Sequence, residues 1–242
     1  MANQERINSN SYTVVFAVFM ALIIGVVLAL VSSSLQGKQD INAEFAMKKN
    51  LLNAVGIDAQ SIEKEEVNTI YETKFTGMVV NNTGKEIGDK AAAFVVDMAK
   101  EAKKDDAEKS LPVFIYKDDN GKVQYILQAR GSGLWDAIWV YLALAEDKNT
   151  ISGAVFGHKA ETPGLGAKIK DDAGFYADFS GKQLFKGDDF VGITVLKGEG
   201  GNVKANASAN QVDGISGATM TCNGVTSMMQ GSLGNYLEFL KQ

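Results

Sequence analysis

Residues 216–221 read Ser-Gly-Ala-Thr-Met-Thr, inside the longer stretch DGISGATMTCNGV at 213–225. Ser216, Thr219 and Thr221 carry hydroxyls that both donate and accept hydrogen bonds, while Gly217 and Ala218 let the main chain approach a bound group closely. The stretch precedes a run with Val225, Met229, Leu233, Leu237 and Leu240 at helical spacing, which predicts a terminal amphipathic helix over 222–240. The first N–H groups of a helix have no intrahelical partner, and the dipole there favours negative charge, so the place suits a phosphate. An ordinary Ser/Thr helix cap uses the same residue types, so the spacing alone gives a phosphate site or a cap. A serine-hydrolase elbow needs GxSxG, but Ala218 stands where the last glycine belongs and His158 is the only histidine that could serve as base.

Two other stretches could converge on this loop. HKAETPGLG at 158–166 contains Pro163-Gly164, which suits the two central positions of a type II turn and gives a rigid exposed loop after a strand. GSGLWDAIW at 131–139 offers Trp135 and Trp139, whose default role is core packing. In isolation His158 reads as a surface or core histidine, and the turn as a turn.

The elements that must hold these stretches are legible in outline. From Leu111 onward, LPVFIYK, KVQYILQAR, LWDAIWVYLALA, TISGAVFGHKA and DFVGITVLKGE are rich in β-branched and aromatic residues, and DDNG, GSG, EDKN and KGDD separate them as turns. The run Leu134–Ala145 is apolar on both faces, as a doubly covered strand or a buried helix would be. The bracketing turns favour the strand. Before this block, apolar spacing predicts helices over 41–55 (stopped by Gly56), from Asp58 or Ser61 to about Tyr71, and over 84–103. The charged run 100–109 reads as a solvated helix end. Helices before and after a block of strands predict an α+β domain with an antiparallel sheet flanked by helices.

The amino-terminal part differs in kind. Tyr12–Val31 is an apolar run of 20 residues in an uncharged interval from Ile7 to Gly37. At about 1.5 Å per residue it spans about 30 Å, the thickness of a bilayer's hydrocarbon core. A retained transmembrane helix is expected over a cleaved signal peptide, because the run exceeds the usual h-region and only Arg6 represents a basic n-region. The division is a tail at 1–11, a transmembrane helix at 12–31, a juxtamembrane helix and linker at 32–57 and a globular domain at 58–242. Basic residues flank the helix on both sides, so charge does not orient it. The helix has no charged residue and cannot by itself carry an ion pathway. The 242 residues have a net charge of −5 and no Lys/Arg-rich run, which argues against nucleic acid as a partner. One cysteine, Cys222, excludes an internal disulfide, and with one histidine no protein-only zinc or iron–sulfur site is expected.

Taken in order behind one amino-terminal apolar helix, GSGLWDAIW, HKAETPGLG and DGISGATMTCNGV resemble the FMN-binding C subunit of the bacterial sodium-translocating NADH:quinone reductases. The G subunit of the Rnf electron-transport complexes is a close alternative with the same SGATxT pattern, and a non-redox scaffold or phosphate-ligand module is an alternative of another class. The resemblance implies an electron-carrying subunit with no catalytic site of its own. It implies FMN joined through its phosphate to the hydroxyl of Thr221, with Ser216, Gly217, Ala218 and Thr219 around the phosphate. Glu161, Thr162, Leu165 and Gly166 are implied as contacts of the flavin ring, together with Leu134 and Trp135. Threonine is a poor nucleophile without a base, and no residue from Ser216 to Val225 is one. The chain is therefore not expected to attach the flavin by itself, and the resemblance implies a separate flavin transferase, drawing on FAD and Mg²⁺, as the maturation partner. The resemblance also implies the other subunits of the complex as partners and a place in the bacterial inner membrane, with the flavin domain on the periplasmic side. Cys222 stands where the family often has serine, which cysteine is small enough to replace.

Overall fold

The computed structural model describes residues 10–198 and 208–242. The tail at 1–11 therefore lies almost wholly outside the described residues, as does Glu199 at the end of DFVGITVLKGE. The chain divides into two compact units, Met1–Met47 and Lys48–Gln242.

The first described element is one continuous helix, α1 (Asn10–Ala54), and not an apolar helix followed by a separate juxtamembrane one. Ser32-Ser33-Ser34 and Gly37 do not interrupt it; such residues weaken a helix by fractions of a kcal/mol each, well short of the cost of proline. The large side chains from Tyr12 to Val31 are exposed along its length, and the helix is long and apolar enough to cross a membrane. It ends as expected before Gly56. That glycine has φ +87°, and the N–H groups of Gly56 and Ile57 return to the carbonyls of Asn53 and Leu52 in a Schellman-type closure.

Lys48–Gln242 is built on a six-stranded antiparallel sheet in the order β2-β1-β3-β4-β5-β6. Its strands are β1 (Phe75–Val80), β2 (Glu86–Asp89), β3 (Leu111–Lys117), β4 (Val123–Ser132), β5 (Ala137–Leu144) and β6 (Ile151–His158). Helix α2 (Lys64–Lys74) leads into β1. The helix predicted over 84–103 is instead a hairpin strand and two short helices, β2 followed by α3 (Lys90–Val95) and α4 (Met98–Glu101). Gly84, at φ +74°, turns the chain back, and the side chains of Asp89 and Asp97 cap the two helices at Ala92 N–H and Ala99 N–H. Beyond β6 come α5 (Lys168–Asp171), α6 (Ala173–Ala177) and the two-residue pairings β7 (Phe185–Lys186) with β8 (Asp189–Phe190) and β9 (Thr194–Val195) with β10 (Gln211–Val212). The strand predicted from Asp189 is thus split at Gly192, which takes φ +60°, and neither piece joins the main sheet.

The chain closes with α7 (Thr219–Ser227), which continues through a π-helical turn at Met228–Ser232 and a 3₁₀ turn at Leu233–Tyr236 into α8 (Leu237–Leu240). Its apolar stripe, including Val225, Met229, Leu233 and Tyr236, joins the same core as Leu127 and Ala129 of β4 and Ile138, Val140 and Leu142 of β5. On β5 burial alternates from Ala137 to Leu142, the pattern of a strand with one face on the core, and then becomes continuous through Leu142, Ala143 and Leu144, where both faces are covered. Tyr236 locks the two layers together: its ring is fully buried, and its hydroxyl lies 3.1 Å from the carbonyl of Pro112 and 3.0 Å from that of Gln128. Burial pushes this phenol far above its ordinary range, so it stays a donor. Tyr236→Phe keeps the ring and removes the donor, and an unfolding titration should show a loss of about 1–2 kcal/mol.

Candidate functional site

Two glycine turns face one another at the start of α7. In the first, the N–H of Leu165 returns to the carbonyl of Thr162 at 3.2 Å, with Pro163 and Gly164 central and Gly164 at φ +75°. In the second, the N–H of Ala218 returns to the carbonyl of Ile215 at 3.1 Å, with Ser216 and Gly217 central and Gly217 at φ +77°. Both place a positive φ at the second central position, as a type II turn requires. They touch, because a Cβ on Gly217 would sit 2.8 Å from Leu165 Cδ2.

Helix α7 begins with Ala218 at the N-cap position and has no side-chain cap. SGATMT is therefore not an ordinary hydroxyl cap: its serine lies in the turn before the helix and its threonines lie inside the first turn. Thr221, the third helical residue, is only 1 % exposed and points across the turn. Its hydroxyl donates to Glu161 Oε2 at 2.6 Å, a contact between residues 60 apart in sequence.

Glu161 is itself buried and held from several directions. Its Oε1 accepts the backbone N–H of Trp135 at 3.0 Å, and its own N–H donates to His158 Nδ1 at 3.2 Å. Two glycines make room for the carboxylate. A Cβ on Gly133 would lie 2.4 Å from Oε1, and one on Gly166 would lie 2.4 Å from Oε2 and 2.5 Å from Thr221 Oγ1. Burial alone would raise the carboxyl's pKa. The Thr221 hydroxyl and the N–H groups of Trp135, Asp136 and Leu134 outweigh it and hold Glu161 below the ordinary carboxylate range, ionised at neutral pH.

The β4–β5 connection that supplies these N–H groups is braced against the segment after β6. Lys159 pairs with Asp136 at 2.9 Å, and the indole N–H of Trp135 donates to Thr162 Oγ1 at 3.1 Å. Hydrophobicity places Leu134 and Trp135 within the fifth strand. They lie before it, 52 % and 68 % exposed, because β5 starts only at Ala137. With Leu165 and Met220, also exposed, they form an apolar rim around the buried hydroxyl. A cleft of about 600 Å³ opens beside this connection, lined by Arg130, Leu134, Trp135 and Lys103 among others.

The structure thus brings Glu161, Gly166 and Thr221 into one cluster, with Thr162, Leu165, Leu134 and Trp135 around it and Ser216–Thr219 forming the approach to the helix. Sequence reasoning finds no base for Thr221 between Ser216 and Val225, and none is there. The carboxylate comes from the other glycine turn, and a Pro-Gly turn preceded by an acid is the one signal that could direct the search to it. His158 accepts the backbone N–H of Glu161 and so orients that backbone. Cys222 is packed beneath the turn, accepting the N–H of Ile215 at 3.4 Å, and burial pushes its thiol up, away from the reactive thiolate.

Comparison with known proteins places this site in a family. The FMN-binding domain family matches residues 133–234, a span that contains most of the GSGLWDAIW stretch and the whole of the other two. The C subunit of the Na(+)-translocating NADH-quinone reductase of Pasteurella multocida is 30 % identical over 237 residues, covering 92 % of this chain and 89 % of that protein. The corresponding protein of Pseudomonas aeruginosa is 29 % identical over 250 residues, covering 97 % and 94 %. The crystal structure of the same protein from Parabacteroides distasonis superposes with a TM-score of 0.73 at 34 % identity, covering 86 % of this chain and 98 % of that one. With the amino-terminal apolar helix, the six-stranded sheet and the two facing glycine turns all present, the chain belongs to the C-subunit family of the Na(+)-translocating NADH-quinone reductases.

Proposed function

We propose that this chain is a membrane-anchored electron-transfer subunit that carries FMN through a phosphoester to Thr221. The observation that carries the reading is the placement of Thr221: a hydroxyl on the first turn of α7, held by a carboxylate, behind a loop whose glycines admit close approach. The residues suit the group. The phosphodiester keeps one negative charge, which the uncapped helix start favours. Ser216 and Thr219 offer further hydroxyls, and Leu134, Trp135, Leu165 and Met220 offer exposed apolar surface to a flat aromatic ring. When bound, the flavin supplies one-electron chemistry between neighbouring subunits on the route from NADH to quinone.

The chain's own residues bind and orient. The helix start and its hydroxyls hold the phosphate, and the apolar rim fixes the ring. Helix α1 anchors the chain through 12–31 in a bacterial inner membrane, with the flavin domain on the periplasmic side. A flavin transferase completes maturation from FAD. The test is intact-mass and peptide mapping of the full-length chain coexpressed with a flavin transferase. The expected result is one FMN minus water added to the chain and confined to the peptide containing Thr221. An unmodified chain, or the mass on another peptide, overturns the reading.

A further inference from the structure

We propose that Glu161 takes the proton from the Thr221 hydroxyl when the flavin phosphate is attached, so that the acceptor chain supplies a catalytic residue for its own modification. This rests on the reading of Thr221 as the attachment residue. An alcohol is a weak nucleophile unless a base receives its proton as the new bond forms. Here the hydroxyl already donates to a carboxylate at 2.6 Å, within the reach that general-base catalysis needs. The carboxylate is also fixed in place. Trp135 N–H holds its other oxygen, His158 holds its backbone, and Gly133 and Gly166 leave a slot that any side chain would fill.

The step balances with a flavin adenine dinucleotide as donor. Thr221 Oγ1 forms a bond to the phosphorus nearer the flavin, the bond from that phosphorus to the bridging oxygen breaks, and adenosine monophosphate leaves with that oxygen. The proton moves from Oγ1 to Glu161 and then to the departing phosphate, and nothing is oxidised or reduced. The burial of Thr221 adds a requirement. Gly166 lies directly against the hydroxyl and Leu165 reaches over to Gly217, so the turn at 162–166 has to lift before a phosphorus atom can reach it. Glu161 is positioned to stay behind when it does. Apart from the bond to Thr221 itself, its side-chain ties run to the β4–β5 connection and its backbone tie to the end of β6, whereas the turn is tied across the site by the exposed Trp135–Thr162 hydrogen bond and along the chain by the N–H groups of Ala167, Lys168 and Ile169.

The experiment follows attachment and not electron transfer. Full-length chain in detergent, purified from cells without a flavin transferase, is mixed with purified transferase, FAD and Mg²⁺, and its intact mass is followed in time. Glu161→Gln keeps the shape and removes the proton acceptor; attachment should slow about 10²-fold with the circular dichroism spectrum unchanged. Glu161→Asp restores a carboxylate and should recover part of that rate. Attachment to Glu161→Gln at the wild-type rate or faster overturns the assignment, since a carboxylate that only repelled the incoming phosphate would give that result. So does an Asp variant no faster than the Gln variant. If the wild type gains no mass, or Thr221→Ala gains it, the underlying reading of Thr221 fails instead.

Discussion

Thr221→Ala is expected to yield a folded chain with no attached flavin: unmodified in intact mass and dark by in-gel fluorescence after coexpression with a flavin transferase. With attachment at Thr221 as proposed, the effect on loading is all or none, because the substitution removes the oxygen through which the ester would form. The effect on folding is modest. The hydroxyl's bond to Glu161 is charge-assisted, a class worth about 1.5–3 kcal/mol, but Glu161 retains the N–H groups of the β4–β5 connection. A net loss of about 1–2 kcal/mol follows, a shift of a few degrees in Tm for a domain of this size. Thr221→Ser keeps the oxygen and should load, which separates loss of the chemistry from loss of the fold. An alanine variant that still carries covalent FMN would place the ester elsewhere.

The sequence stretches that carry the site are legible one by one, but their contact is not. SGATMT announces a loop made for close approach, and Pro163-Gly164 announces its turn. Each needs a positive φ at one glycine, a local requirement that residue type reveals. The hydrogen bond between Thr221 and Glu161 joins positions 60 apart, and no periodicity encodes it. The strands β3 to β6 are readable because they are long and rich in β-branched and aromatic residues. Strand β1 escapes such a reading because Phe75–Val80 is short, half-buried and interrupted by Gly77. The apolar spacing of 84–103 looks helical although Gly84 and two aspartate caps cut it into a hairpin strand and two short helices. Leu134 and Trp135 fall within a strand on hydrophobicity alone. Both are exposed in the connection before β5, and hydrophobicity alone cannot distinguish exposed apolar surface from core.

Gly224→Ala sets two local effects against each other, and their sizes predict the outcome. Gly224 lies in the interior of α7, where alanine is favoured over glycine by about 1 kcal/mol. An added Cβ, however, would stand 2.2 Å from the backbone carbonyl oxygen of Ser132 on β4, where no flexible side chain can yield. The neighbouring contact is also tight, since a Cβ on Gly131 would lie 2.8 Å from Met228 Cβ, and Ser232 Oγ accepts the N–H of Arg130 at 3.2 Å. The helix can relieve the clash only by moving off β4, at a cost of about 1–3 kcal/mol or more for overpacking. The clash is with backbone, so the upper end of that range applies, and a net destabilisation of about 2 kcal/mol is expected in denaturant unfolding. The movement would also carry Thr221, three residues earlier on the same helix, away from Glu161, which is fixed to the β4–β5 connection. Flavin attachment to Gly224→Ala should therefore slow at least about tenfold under conditions where the chain remains folded. A variant that is more stable than the wild type and loads at the same rate would show that helix propensity wins, and that the seating of α7 on β4 does not set the geometry of the site.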